Sequence, residues 1–437
     1  MADSSGTQHS AGVSRRGFLS LTGGLAAAAA LSACGSNTGR SGTQSSGSAT
    51  ANSNVTISQW YHQYGEAGTQ QAVQRYAKAY TKAKVAVQWT PGDYDKKVGA
   101  ALLTGSGPDV FEAGNGPSID QIQGGQVVPL DGLLGDAASD FNSALIQRMT
   151  YKGKLYGIPQ VIDTQMLVYR KSLLAKAGIQ PPQTFDELVS AAKKLTTKDV
   201  KGLFVGNDGG GGVLAGPTLW SVGADYLTQD NKIGFDDPNV AVAFGRLHEL
   251  FTSGSLLLGA PTDWSDPSAF TQGLTAMQWT GLWTFPELQK AFGDDFGVLP
   301  WPKFSASVGA PSVPIGAYGS AVSAKSKHVA AAKDYVKWLW VDQTDFQLDF
   351  AQSYGFHIPA RKSLATKADK LKSGTAADAV ALVTDHGRAQ TPLLWTPACG
   401  TALSDAVTRI VKNGADPAAQ LRAVKATVQS ELNRVAK

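Results

Sequence analysis

Apolar and polar residues alternate from Val55 through Thr56, Ile57, Ser58 and Gln59 to Trp60, the period of two that marks a half-buried strand. Val73, Tyr76, Ala77 and Tyr80 then recur at helical spacing, placing one apolar face on a helix. Val85 to Trp89 alternates again, with Val85, Val87 and Trp89 on one side, so Trp89 reads as core. The order strand, helix, strand predicts an α/β lobe built on a parallel sheet. Further along, Thr184-Phe185-Asp186-Glu187 is a capping box that opens a helix toward Leu195, and Pro181-Pro182 before it marks a turn. Val329 to Trp340 reads as helix, and Leu421, Val424, Val428, Leu432 and Val435 form one stripe on a last helix. No repeat with a period of tens of residues is visible.

The segment before Val55 has a different character. Arg15 and Arg16 precede an apolar run from Phe18 to Ala33 that ends at Leu31-Ser32-Ala33-Cys34. A spanning helix needs about 20 apolar residues, so this shorter, Gly- and Ala-rich run reads as the core of a signal peptide, residues 1–33. The paired arginines resemble the twin-arginine export signal. Leu31-Ser32-Ala33-Cys34 resembles a bacterial lipobox, which makes Cys34 the acylated mature N-terminus. Residues 34–54 hold little that could form a core, and a flexible tether of this length spans roughly 25 Å. One acyl chain anchors weakly and two anchor stably, so a diacylated Cys34 implies attachment to the outer face of the cell membrane.

The body from Val55 to Lys437 has the length of two domains rather than one. With 43% hydrophobic and 17% charged residues the chain can bury a large core. The formal charge is +4; Arg15, Arg16 and Asp3 contribute +1 of it, leaving about +3 after residue 33. No basic stripe offers a nucleic-acid surface. The two cysteines, Cys34 and Cys399, allow no disulfide once Cys34 carries lipid and no cysteine-based zinc site, and Cys399 reads as a small buried residue.

Catalytic motifs are missing. There is no G-x-S-x-G nucleophile elbow, and His248-Glu249 meets Thr252 where a zincin needs its second histidine. The run Gly209 to Gly212 lacks the Lys of a P-loop and reads as a turn, and Asp295-Phe296-Gly297 stands without other kinase motifs. No metal or cofactor is called for. Many Asp and Glu remain, which leaves a glycoside hydrolase open, since such enzymes need only two carboxylates.

Ten tryptophans are the distinctive chemistry. An aromatic ring can stack on the C–H face of a sugar while carboxylates and amides bond its hydroxyl rim. A single Trp is more often core, but Trp60 stands at a strand end, where open α/β sheets place their ligands, and Trp283 follows Gly281 just before Pro286, outside any strong periodic pattern.

Several segments together resemble extracellular solute-binding protein family 1, the group that includes maltose/maltodextrin-type binding proteins. Gly105-Ser106-Gly107-Pro108-Asp109-Val110 is similar to its turn ending in Pro-Asp-Val. Tyr156-Gly157-Ile158-Pro159 with Leu167-Val168-Tyr169-Arg170 resembles its Pro and Tyr-Asn-Lys segment, with Arg170 in place of Asn. Ala177 to Leu188 is similar to its Ala-Gly-Ile, Pro-Pro, Thr-Trp, Glu-Leu segment, with Phe185 in place of Trp. Ala276-Met277 through Gly281-Leu282-Trp283, then Gly316 to Ser320, Ser326 to His328 and Phe356 to Ala360 complete the order.

The resemblance implies a two-lobed, type II periplasmic-binding-protein fold with hinge strands and a ligand cleft between the lobes. It implies an N-terminal lobe of 55–162 plus 317–357 and a C-terminal lobe of 163–316 plus 358–437. The implied function is capture of a sugar, an oligosaccharide above all, for an ABC permease by a monomeric binding subunit that is not an enzyme. A same-fold binder of a non-sugar solute is the alternative. The implied ligand contacts are Trp283, stacking on sugar, and Asp163, Asn115 and Glu112. Trp60 and Tyr61 at the end of the first strand, with Trp220, Trp395 and Trp264, complete the set.

Overall fold

A computed structural model describes residues 54–436. The signal peptide, Cys34 and nearly all of the tether expected from the sequence lie outside the described residues.

The predicted strand, helix, strand start is present. Strands Thr56–His62 and Lys84–Thr90 pair in parallel, with helix Thr69–Ala79 between them. Val110–Gly114 adds to the first strand in parallel, and Tyr318–Val322 and Ile158–Pro159 extend the sheet in antiparallel sense. Helix Tyr94–Thr104 packs on the opposite face from Thr69–Ala79, so residues of the first strand point alternately into two cores. Ile57 and Tyr61 join one core, while Trp60 packs with Tyr94, Val98 and Phe111 in the other.

The second sheet is organised on Val161–Tyr169, nine residues long. Its first half pairs with Ile358–Pro359 and Val313–Gly316, and its second half with Met277–Gly281 and Gly297–Leu299. Gly387–Ala389 closes the far edge. The chain therefore passes from one sheet to the other twice in short steps, at Gln160 and at Ala317. The register sets Asp163 opposite Gly316 at that crossing.

The second core is mostly helical. The expected capping box is formed: Thr184 accepts from the Glu187 N–H at 3.3 Å, and Glu187 accepts from the Thr184 N–H at 3.2 Å. Helix Pro397–Asn413 starts on the Thr396 N-cap with proline first and stops at Gly414, whose φ of 64° suits a residue without Cβ. Helix Pro417–Val435 buries the predicted stripe of Leu421, Val424, Val428, Leu432 and Val435, the first four in one core with residues of Pro238–Thr252. Cys399 is buried, as read from the sequence.

Two departures have physical reasons. The helix expected over 329–340 is α-helical only for Val329–Lys337 and widens to a π-helical turn over Trp338–Asp342. The wider turn buries Leu339, Trp340 and Val341 in succession, which a regular α-helix of 3.6 residues per turn could not do on one face. Trp89 is half-buried rather than core; it sits in an edge strand, with its ring 5.7 Å from that of Tyr64.

Candidate functional site

Where the two sheets meet, a cavity of about 680 Å³ opens, within the range of small-molecule sites. A neighbouring recess of about 390 Å³ shares His62, Tyr64, Asp95 and Tyr318 with it, so the groove continues along the first sheet.

The first wall grows from the end of the first strand. His62 lies at the rim, its ring stacked on Tyr318 at 4.1 Å and 17° and only 3.8 Å from Tyr64. Beneath them Glu112 is buried, and it orients this group. Its Oε2 accepts the His62 N–H at 3.0 Å and meets His62 Nδ1 at 2.7 Å, while Oε1 accepts the Tyr64 hydroxyl at 2.5 Å. Burial, and then the Glu112 carboxylate, hold the Tyr64 phenol well above its ordinary pKa, so it remains a proton donor.

The floor is the strand crossing. His357 Nδ1 meets Asp163 Oδ1 at 2.5 Å, and its Nε2 meets Glu66 Oε1 at 3.1 Å. Burial alone would lower this imidazole, but Asp163 first and then Glu66 outweigh it and raise the pKa to about 10. The ring is therefore an imidazolium clamped between two carboxylates. Asn115 adopts φ 57°, which asparagine tolerates, and ties three segments together. Its N–H donates to the Ala317 carbonyl at 2.8 Å, its Oδ1 accepts from the Ala317 N–H at 3.2 Å, and its Nδ2 donates to Gln390 Oε1 at 3.0 Å.

The second wall is aromatic. Trp264 and Trp283 meet edge to face, 5.9 Å apart at 72°, and both are half-buried. The Trp283 Nε1 donates to the Ser265 carbonyl at 3.0 Å. Buried Gln278 pins the same loop, donating to the carbonyls of Trp264 at 3.1 Å and Asp266 at 2.8 Å. Gly281 explains the spacing of the Gly-x-Trp element: a Cβ there would lie 1.9 Å from the Trp283 ring. The indole rests where only glycine leaves room. Gly281→Ala is therefore expected to swing the ring aside and weaken ligand binding by roughly thirty-fold, the loss of a central aromatic anchor. The melting temperature should change little, because the displaced atoms are the free end of a side chain. Calorimetric titration alongside thermal melting checks both halves.

Of the residues singled out in the sequence, the cavity brings together Trp283, Trp264, Asp163 and Asn115. The others lie elsewhere. Trp220 is 2% exposed and donates its Nε1 to Asp225 Oδ1 at 3.0 Å inside the second core. Trp395 is buried edge-on against Tyr226, 4.9 Å away. Tyr61 is fully buried because its strand position faces helix Thr69–Ala79, and Trp60 faces the opposite helix. The first strand runs two residues beyond Trp60, so His62, Tyr64 and Glu66 reach the cleft instead. Glu112 acts from below the wall, without lining the cavity. His357 and Tyr318 lie in segments that carry the resemblance. No local signal marked Glu66, Asp95, Gln165, Asp266, Glu287 or Gln390.

The second-lobe end of Val161–Tyr169 also accounts for the Arg170 departure. Its Nη2 meets Asp295 Oδ2 at 2.6 Å, and its guanidinium lies 4.0 Å over the Phe292 ring. Asparagine could make neither contact at that reach.

Residues 59–341 match the bacterial extracellular solute-binding proteins. The chain belongs to that family. Among similar proteins, the diacetylchitobiose-binding protein DasA of Streptomyces coelicolor is 28% identical, over 73% of this chain and 74% of its own. The galactooligosaccharide-binding protein of Bacillus subtilis is 24% identical, over 92% and 94%. The fold matches an ABC transporter solute-binding protein of Thermotoga lettingae bound with α-D-tagatose, with a TM-score of 0.74 and 22% identity, over 86% of this chain and 99% of that one. The type II two-lobed fold expected from the sequence is thus the fold of the family member.

The His357 clamp makes a testable contribution to stability. The folded pKa of about 10 lies above the ordinary value of 6.5, so the stabilisation is fully present below 6.5 and is lost as pH rises toward 10. The melting temperature is expected to fall across pH 7 to 10, and His357→Gln should flatten that part of the profile. An equal slope in the variant would contradict the clamp.

Proposed function

We propose that this family member is the extracellular sugar-binding subunit of an ABC importer. The observation that carries the reading is the facing of two walls: the Trp264–Trp283 pair on one side, and carboxylates and amides at Glu66, Asp95, Asp163 and Gln390 on the other. Rings can stack on a sugar face while acceptors take its hydroxyl protons. The sugar ligands named for DasA and the Bacillus relative support the same chemistry, and the continued groove supports an oligosaccharide.

In this reading the lobes are 55–162 with 317–357 and 163–316 with 358–437. They close on the sugar about the crossings at Gln160 and Ala317 and present the closed surface to the permease. The protein binds as a monomer and does not cleave its ligand. Export through the signal peptide and acylation of Cys34 would hold it at the outer face of the membrane, and the lipobox supports this. An unmodified Cys34, or a mature N-terminus elsewhere, in intact-mass analysis of native protein would refute the anchor. For the ligand, a thermal-shift screen over mono- and oligosaccharides is the direct test. A sugar at 100 times its Kd adds about 2.7 kcal/mol of stability. A screen in which only non-sugar solutes stabilise the protein would overturn the reading.

A further inference from the structure

Carboxylates outnumber cations in the lining of the cavity. Glu66, Asp95, Asp163, Asp266 and Glu287 all reach it, and among the described residues no Lys or Arg lines it, in a chain that holds 39 of them. This runs against the chain's net positive charge. The one cation fixed in the floor, His357, is shared between Asp163 and Glu66. Among the described residues, Asp95, Asp266 and Glu287 have no basic partner within salt-bridge distance. Asp266 has its own Ser268 N–H at 2.8 Å, a neutral donor.

Glu66 gives an independent pointer. Its side chain is 8% exposed, yet only Oε1 is engaged, by His357; among the described residues Oε2 has no hydrogen-bond partner, and the side chain lines the cavity. That free oxygen is open to the cavity and can accept from a charged donor on a ligand. A cleft with a net excess of one charge sign between low-dielectric walls also concentrates its field on whatever enters. The aromatic pair opposite attracts a cation across its ring faces as readily as it stacks on a sugar.

We infer that the cleft selects a saccharide carrying a protonated amine, an unacetylated amino sugar or its short oligomer, over neutral and anionic counterparts. This rests on the sugar-binding reading above and narrows it. The ammonium supplies the charge and the hydrogen-bond donors that the carboxylates lack, while a uronic acid or phosphorylated sugar would be repelled.

The test is calorimetric titration of the purified protein with matched sets of sugars. Each set holds a hexosamine or its β-linked dimer, the N-acetylated form, and the neutral form with hydroxyl in place of amine. In every set that binds, the amino form is expected to bind on the order of tenfold tighter. The advantage should shrink between 0.02 and 0.5 M salt, as charge attraction is screened. Asp266→Asn combined with Glu287→Gln should lower the ratio of amino to neutral affinity. Neutral or N-acetylated sugars binding as tightly as the amino forms would overturn the inference and leave the sugar-binding reading standing. No binding by any member of any set, with a non-sugar solute bound instead, would remove both.

Discussion

Trp283→Ala is expected to weaken sugar binding at least thirty-fold while the fold survives. The ring is half-buried, and its neighbours are the edge of Trp264, the Ser265 carbonyl and the backbone of Gly281. None of these is the centre of a core. Its largest contact forms only when ligand is present, so truncation is felt in binding rather than in folding. Losing such an anchor costs about 2 kcal/mol or more, roughly thirty-fold in Kd. Calorimetric titration gives the affinity and thermal melting gives the fold. Unchanged affinity with a collapsed melting temperature would mean that Trp283 serves the core.

Trp220→Ala is expected to do the reverse. This ring is buried among the helices of the second core, edge-on to Tyr226 at 6.1 Å and tied to Asp225. Removing it leaves a cavity and a carboxylate short of one donor, at a cost of about 3–5 kcal/mol. The melting temperature should drop by on the order of 10 °C. At a temperature where the variant is folded, affinity for sugar should stay within a few-fold of the parent. A thirty-fold loss of affinity at full stability would return Trp220 to the site.

The contrast between these two tryptophans shows where the sequence was readable. Local patterns located strands, helices and caps well, because alternation and helical spacing are properties of neighbouring residues. The Thr184 capping box and the C-terminal apolar stripe were visible for that reason. Trp264 could be separated from Trp220 and Trp395 only by tertiary packing, since all three are aromatic residues beside turns or loops. Trp283 was legible through the Gly281-Leu282-Trp283 element of the family resemblance, and the structure adds that the missing Cβ of Gly281 makes room for the ring. Asp163 and Asn115 were legible because they adjoin recognisable strand segments.

The first wall was missed by two residues. The strand pattern ended at Trp60, whereas the pairing continues to His62. An error of two keeps the same face in a strand, but it moves the position along the sheet from beneath a helix to the cleft rim. Glu66 and His357 are 291 residues apart, and the clamp they form with Asp163 is set by the strand crossing, so no window of sequence contains it. Glu112 illustrates a different limit. It was singled out as a ligand contact, and it lies one layer below, holding His62 and Tyr64 in place.

The central claim is that this chain captures a sugar in the cleft between its sheets. Calorimetric titration of the purified protein with mono- and oligosaccharides tests it most directly. The account predicts saturable binding of one sugar per chain for at least one member, abolished or weakened at least thirty-fold by Trp283→Ala. Saturable binding of a non-sugar solute, with every sugar silent and Trp283→Ala without effect, would contradict it.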